Sequence, residues 1–300
     1  MNFTLGVDVG GTNVKAIAVT AKGRVLAEAS VPTGGAHLPR WKNAVRSAVA
    51  AVQRELHSAP TWIGVAAPGL PAPDQRCIAH LPDRLPGLEG LDWQRFFAFP
   101  RAIPVVNDAQ AALLGEVWLG AARRAQNAIL LTLGTGVGGA ALVDGRLLRG
   151  HLGRAGHLGH ISLDPKGERD IVNTPGSLEA AIGNCSLPAR SGGRFSDTET
   201  LVAAALRGDA DARRIWMDSI RALAAAIASL VNVLDPCTVL IGGGIANAGP
   251  QLFAPLRRQL ARFEWRPAGA RVRIVAAQLG DRAGAVGAAW YATTFERDSR

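Results

Sequence analysis

The sequence predicts an α/β protein of two similar lobes, each a mixed sheet flanked by helices, on three grounds. Apolar runs with strand period and runs with helical period follow one another in the order strand-rich, helix-rich, strand-rich, helix-rich. Twice a buried strand breaks into a glycine-threonine turn, at Val7 to Thr12 (VDVGGT) and at Ile129 to Gly139 (ILLTLGTGVGG), as a duplicated device would. The 300 residues are enough for two domains of ordinary size.

Taken in order, Phe3 to Val9 is the first strand, with Ala16 to Val19 and Val25 to Ala29 as hairpin partners and Gly23 in a turn. Leu38 to Leu56 has helical spacing, and Thr61 to Ala66 is a buried strand ending at Pro68-Gly69. Pro71 to Pro104 is rich in Pro and Gly and reads as loops with a short helix at Trp93 to Phe97. A short strand at Val105-Val106 leads to a helix over Ala109 to Leu119, its start favoured by Asp108. Strands at Ala128 to Leu133 and Gly138 to Val143 precede an Asp144-Gly145 hairpin turn and a strand at Arg146 to Leu148. Periodicity lapses over Gly150 to Gly176, which reads as a functional loop, and a helical pattern resumes at Ser177 to Ile182. Helices at Asp197 to Leu206, Ala210 to Leu234 and Pro250 to Phe263 surround a strand at Thr238 to Ile241; a last strand, Arg271 to Ala276, and a helix, Ala283 to Phe295, follow.

Composition narrows the function classes. With 48% hydrophobic and 19% charged residues and no run of eighteen uninterrupted apolar positions, a globular chain outside the membrane is expected. No basic leader with an apolar segment precedes the first strand, so a cytoplasmic protein is expected. Cys77, Cys185 and Cys237 are scattered and odd in number, which suits reduced thiols better than a disulfide framework. The net charge of +9 comes from dispersed arginines without interleaved aromatics, so nucleic acid is not the expected partner; a polyanion of nucleotide size is.

Glycine turns after buried strands bring backbone N–H groups to an anion without a Cβ in the way, and a threonine hydroxyl adds a donor. The two turns together read as a cradle for a polyphosphate. Asp8 to Lys15 (DVGGTNVK) is not a Walker loop, because Lys15 does not open a helix in a Gly-Lys-Ser/Thr element. Asp8 is placed to hold Mg2+ through water, while Gly10, Gly11, Thr12, Asn13 and Lys15 are assigned to the nucleotide, as are Gly134, Thr135 and Gly136 of the second turn. Plain hairpin or bulge glycines are the alternative. Asn107-Asp108 reads either as the N-cap of the following helix or as a sugar-fixing amide beside a general base. His157 and His160 (HLGH) are candidate metal ligands or hydrogen-bonding groups in a polar cleft.

Along nearly its whole length the chain resembles the ROK family of bacterial sugar kinases (repressor, open reading frame, kinase), within the actin-like ATPase, ribonuclease H-like superfold. The resemblance is carried by both phosphate turns, Val65 to Gly69 (VAAPG), Leu85-Pro86-Gly87, Asn107-Asp108-Ala109, Gly159-His160, Ser177-Leu178-Glu179, Gly242-Gly243-Gly244 and Gly284 to Ala288. It implies an ATP- and Mg2+-dependent hexose kinase, most simply acting on the 6-hydroxyl of glucose, with an N-acylamino sugar or fructose as other acceptors and a non-catalytic sugar-binding protein as the other class. By resemblance Asp108 is the catalytic base, Asn107, His157, His160, Glu179 and Gly69 contact the sugar, and Gly243 and Gly244 lie against the adenosine. Residues 1–117 with 284–300 would form the smaller lobe and 118–283 the larger, with the ligands in the cleft, and the protein would be a homodimer.

Two departures qualify that picture. The family's loop usually reads Glu-x-Gly-His followed by a segment whose three cysteines join the His on a structural zinc. Here Asp170, Val172 and Ser177 stand at the cysteine positions, while Gly176 and Glu179 are kept. Zinc takes four Cys, His or carboxylate ligands, so no structural zinc is expected, His160 is expected to be held by hydrogen bonds, and the loop by packing around Pro165 and Pro175. His157 stands in place of the usual Glu; a neutral His can donate as well as accept, which is expected to alter preference at the hydroxyl it meets.

Overall fold

The computed structural model describes residues 2–34, 40–82 and 84–298. The chain forms two compact units, one of Met1–Arg124, Arg149–Ala155 and Gln278–Arg300, the other of Ala125–Leu148 and Gly156–Ala277.

In the first unit β1 (Thr4–Val9), β2 (Asn13–Val19) and β3 (Val25–Pro32) form an antiparallel meander. Strands β2 and β3 are longer than their apolar patterns suggest, because β2 pairs with β1 up to the turn itself, Val9 opposite Val14, and β3 follows to Pro32 opposite Asn13. Helix α1 (Trp41–Leu56) lies on this meander with Trp41, Val45, Ala48, Val49 and Val52 buried; the start expected at Leu38 lies outside the described residues. Strand β4 (Trp62–Ala67) runs parallel to β1. The following segment is more ordered than its Pro and Gly content suggests: β5 (Leu70–Pro71) and β6 (Ile78–His80) pair as a small ribbon, and α2 (Trp93–Phe97) packs Trp93 against Trp41. Strand β7 (Val105–Asn107) completes the sheet beside β4 and leads into α3 (Asp108–Trp118). The C-terminal helix (Ala283–Asp298) crosses β1, β4 and α3. Small residues permit that approach, since a Cβ on Gly6 would come within 1.8 Å of the Ala285 carbonyl oxygen.

The second unit repeats the scheme. Strands β8 (Ala128–Leu133), β9 (Val137–Val143) and β10 (Arg146–Leu147) form the meander. After a long loop come α4 (Leu178–Ile182), α5 (Leu187–Arg190), α6 (Thr198–Leu206) and α7 (Ala210–Leu234). Then β11 (Thr238–Gly242), α8 (Pro250–Phe263) and β12 (Arg273–Ala276) follow, with β11 parallel to both β8 and β12. By length and hydropathy α7 could cross a membrane. Here Ile215, Trp216, Ile220, Leu223 and Ile227 bury one side of it in the core, against α4, α6 and α8.

Sheet order states the duplication most plainly: β3-β2-β1-β4-β7 in the first unit and β10-β9-β8-β11-β12 in the second, each three antiparallel strands followed by two parallel ones. These two mixed sheets flanked by helices are the duplicated α/β architecture that the sequence predicts.

Candidate active site

Each unit carries one glycine turn at the end of its first hairpin. In the first, the Gly10 N–H donates to the Asn13 carbonyl at 3.0 Å, and the Thr33 hydroxyl donates to the Gly10 carbonyl at 2.8 Å. The turn is pinned from behind, and Thr12 and Asn13 are left exposed beside half-buried Gly11. Asp8 lies one residue before the end of β1, opposite Lys15. Burial, then the charge of Asp108, push its carboxyl up to about 7 against the pull of Lys15, with Asp281 adding to the rise. Lys15 itself is ion-paired with Asp281, whose carbonyl also accepts from its Nζ at 3.1 Å. An under-neutralised carboxylate beside a second one is a fitting place for a hydrated divalent cation, which would relieve their repulsion.

Asn107 and Asp108 divide the two roles that the sequence left as alternatives. Asn107 is the N-cap of α3: its side-chain oxygen accepts from the Ala109 N–H at 3.0 Å and the Gln110 N–H at 3.4 Å, and the Asn107 N–H donates to Gln110 Oε1. Its Nδ2 donates to the Gly69 carbonyl at 3.1 Å, so buried Asn107 also ties the β4 turn to α3. With the cap supplied by Asn107, Asp108 occupies the first helical position as an exposed carboxylate.

In the second unit Glu179 does what no local pattern announces. It is buried at the start of α4, and its Oε2 accepts from the Val137 N–H at 2.9 Å, immediately after the second turn. A Cβ on Gly136 would come within 2.3 Å of that oxygen, so this glycine is required by the close approach of Glu179. The turn is braced further where the Asn184 and Cys185 N–H groups donate to the Gly134 and Thr135 carbonyls at 3.0 and 2.8 Å. Thr135 stays exposed. A cavity of about 700 Å³ is lined in part by Asn184, which braces this turn, and by Thr198, Gly244, Ile245 and Asn247. Gly244 thus borders the cavity, and Gly243, with φ of +82°, joins it to β11.

His157 and His160 flank a single 3-10 turn, Leu158 to His160, both partly buried. His160 Nδ1 lies 2.8 Å from Asp170 Oδ2. Asp170 is the centre of its loop: Oδ1 accepts from the Val172 and Thr174 N–H groups at 3.0 and 2.9 Å, and the Ser177 hydroxyl adds another bond. Burial would raise the Asp170 carboxyl, but the bonds from His160, Thr174, Ser177 and Val172 outweigh it and hold the group below the usual carboxylate range. The loop is therefore ordered around a carboxylate and not by proline packing, a correction with a plain cause: a buried acceptor gathers the donors around it. His160, Asp170 and Glu179 bring one ligand atom each within 4.8 Å of one another. One imidazole and two carboxylates, each carboxylate already accepting backbone N–H groups, are three ligands and not the four that structural zinc takes. All three cysteines are free thiols.

The ROK family model matches residues 4–294. The chain belongs to the ROK family. It is 31% identical to a glucokinase of Streptomyces coelicolor over 96% of this chain and 97% of that protein. It is 32% identical to an N-acetylmannosamine kinase of Citrobacter koseri over 95% and 97%. Among solved structures, a ROK hexokinase from Thermus thermophilus superposes with a TM-score of 0.86 at 32% identity, covering 99% of both chains.

Within this ROK protein the first unit brings Asp8, Lys15, Asn107 and Asp108 to one end of its sheet, with Gly69 held by Asn107. The second brings Gly134 to Gly136 against Glu179, and His160 against Asp170. Sequence reasoning missed Asp281, Asn184 and the organising part of Asp170. The partners of Asp281 and Asn184 are distant in sequence, but the Asp at a cysteine position was a usable signal for Asp170.

Proposed function

We propose that the protein is an ATP-dependent sugar kinase that transfers the γ-phosphate to a hexose hydroxyl, most simply the 6-hydroxyl of glucose. The observation that carries this reading is the division of labour at the start of α3. Asn107 caps the helix N-terminus, and Asp108, whose Oδ1 accepts from the Ala109 N–H at 2.8 Å, presents an exposed carboxylate at the first helical position. Asp108 takes the proton of the attacking hydroxyl, and Asn107, rigid in its capping box, fixes the sugar. The exposed Thr12 and Asn13 in the first unit, and the exposed Thr135 in the second, offer with the N–H groups of their own turns donors suited to phosphate, and the cavity bordered by Gly244 would take the nucleoside. Asp8 would hold Mg2+, which would supply charge neutralisation for the transferring group.

An N-acylamino sugar such as N-acetylmannosamine is the second acceptor class, favoured by near-equal similarity to a glucokinase and to an N-acetylmannosamine kinase. A panel of hexoses and N-acylamino sugars with ATP and Mg2+, followed by ADP release, separates them by kcat/KM. In the same assay Asp108→Asn is expected to lower kcat by about 10³-fold with little change in the KM for ATP. Retained activity would remove the base assignment, and no turnover with any sugar would leave a non-catalytic binding protein.

A further inference from the structure

We propose that Asp170 is a positioning residue that sets the hydrogen-bond polarity of His160, turning Nδ1–H into the loop and presenting Nε2 to the sugar as an acceptor. The proposal rests on the reading of His160 as a sugar contact and adds what that contact can accept or donate. An ionised carboxylate only accepts, so the ring nitrogen 2.8 Å from Asp170 Oδ2 must carry the proton. A neutral imidazole protonated there has its lone pair on Nε2.

The geometry leaves Asp170 no freedom to do otherwise. Its side chain is 3% exposed, and its Oδ1 is taken by the Val172 and Thr174 N–H groups. Ser177 Oγ accepts from the Ala180 N–H at 3.2 Å, which directs its own proton to Asp170. The carboxylate therefore meets four donors and has no lone pair free for rotation or for a metal. Ser177 is also the N-cap of α4, the helix that carries Glu179, so the same carboxylate ties His160 to the element bearing the second candidate sugar contact. The chain between is fixed by its backbone: the Asp170 N–H donates to the Thr174 carbonyl at 3.0 Å, and the Gly176 N–H to the Glu168 carbonyl at 2.8 Å.

A hydroxyl that meets Nε2 must donate to it. Fluorine cannot donate, so replacing that hydroxyl by fluorine should cost as much affinity as deleting it. Asp170→Asn inverts the arrangement without emptying the site. The amide oxygen is needed by the Val172 and Thr174 N–H groups, so the amide NH2 faces His160, donates to Nδ1, and moves the ring proton to Nε2.

The test is ¹⁵N NMR of the imidazoles in the full-length protein without sugar, joined to steady-state kinetics and metal analysis. Wild type is expected to show His160 protonated on Nδ1, to carry no stoichiometric zinc, and to treat a deoxyfluoro sugar like the matching deoxy sugar at one position. Asp170→Asn is expected to move the proton to Nε2 and to raise the sugar KM about tenfold, with kcat changed less and the KM for ATP unchanged. An Nε2–H tautomer in wild type, or zinc bound to His160, overturns the proposal without any variant having to fold. If the tautomer moves as expected but neither Asp170→Asn nor His160→Gln alters the sugar KM, the proposal falls through the role given to His160. That outcome is distinct from failure of the kinase reading, which would show as no turnover in wild type.

Discussion

The two glycine turns occupy equivalent places in two sheets of the same order, yet they are held by opposite means. The first is pinned by a neutral hydroxyl, that of Thr33, and lies beside two acidic groups, Asp8 and Asp108, that repel one another while Lys15 is paired with Asp281. The second has one buried carboxylate, Glu179, satisfied by the Val137 N–H and pressed against Gly136. A duplicated backbone device has thus been given different work by what packs behind it. The first holds carboxylate repulsion that a cation can relieve, and the second is a rigid rest with little strain to release.

The largest effect that would break this contrast is at Gly136. Gly136→Ala places a Cβ against Glu179 Oε2 and is expected to cost about 2 kcal/mol of stability or more, with a fall in kcat/KM, read by thermal melting and the ADP-release assay. A variant of wild-type stability would mean that Glu179 does not brace the turn.

Asp8 gives the intermediate effect, with a sign set by pH. Its folded carboxyl lies at about 7 and its ordinary value at 3.8, so the unfolded chain releases this proton first. Stability contributed by the protonated group is full below 3.8, declines as pH rises toward about 7, and is level above that. Asp8→Asn is expected to match wild type at the acid end. At pH 8 it should be more stable by about 2 kcal/mol, a figure reduced from the full shift for partial solvent exposure, while losing activity. Equal stability at both pH values, measured by denaturant melts, would show that the first turn holds no such repulsion.

The smallest effect is expected at Gly134, two residues from Gly136. A Cβ there meets nothing within 4 Å, so Gly134→Ala should change stability by less than about 0.5 kcal/mol. A larger loss would show that the second turn is tight throughout and not only where Glu179 touches it.

Much of the fold was legible because its signals are local. The strand and helix periods, the Asp144-Gly145 hairpin and the Asn107-Asp108 helix start all depend on neighbours a few residues apart. The β5-β6 ribbon was not legible, since it pairs two- and three-residue strands inside a Pro-rich stretch where no alternation can develop. Of the site, the turn residues and Asp108 were readable as chemistry, His160 as a metal ligand or hydrogen-bonding group, and Glu179 only by resemblance. Asn107 was readable as an amide, but its capping of α3 and its bond to Gly69 were not both inferable from a dipeptide.

The sequence by itself determined the elements, their duplication and the residue types at the two turns, because those are set by periodicity and by glycine's lack of a side chain. Only the tertiary structure decided how the charges are balanced: Lys15 is drawn to Asp281, Asp8 is left unneutralised beside Asp108, and Asp170 gathers four donors in place of a cysteine set. Burial and Coulomb interaction depend on distances through space. Of Asp170's donors, Val172 and Thr174 are near neighbours in sequence, but His160 reaches it only because the loop folds back on itself.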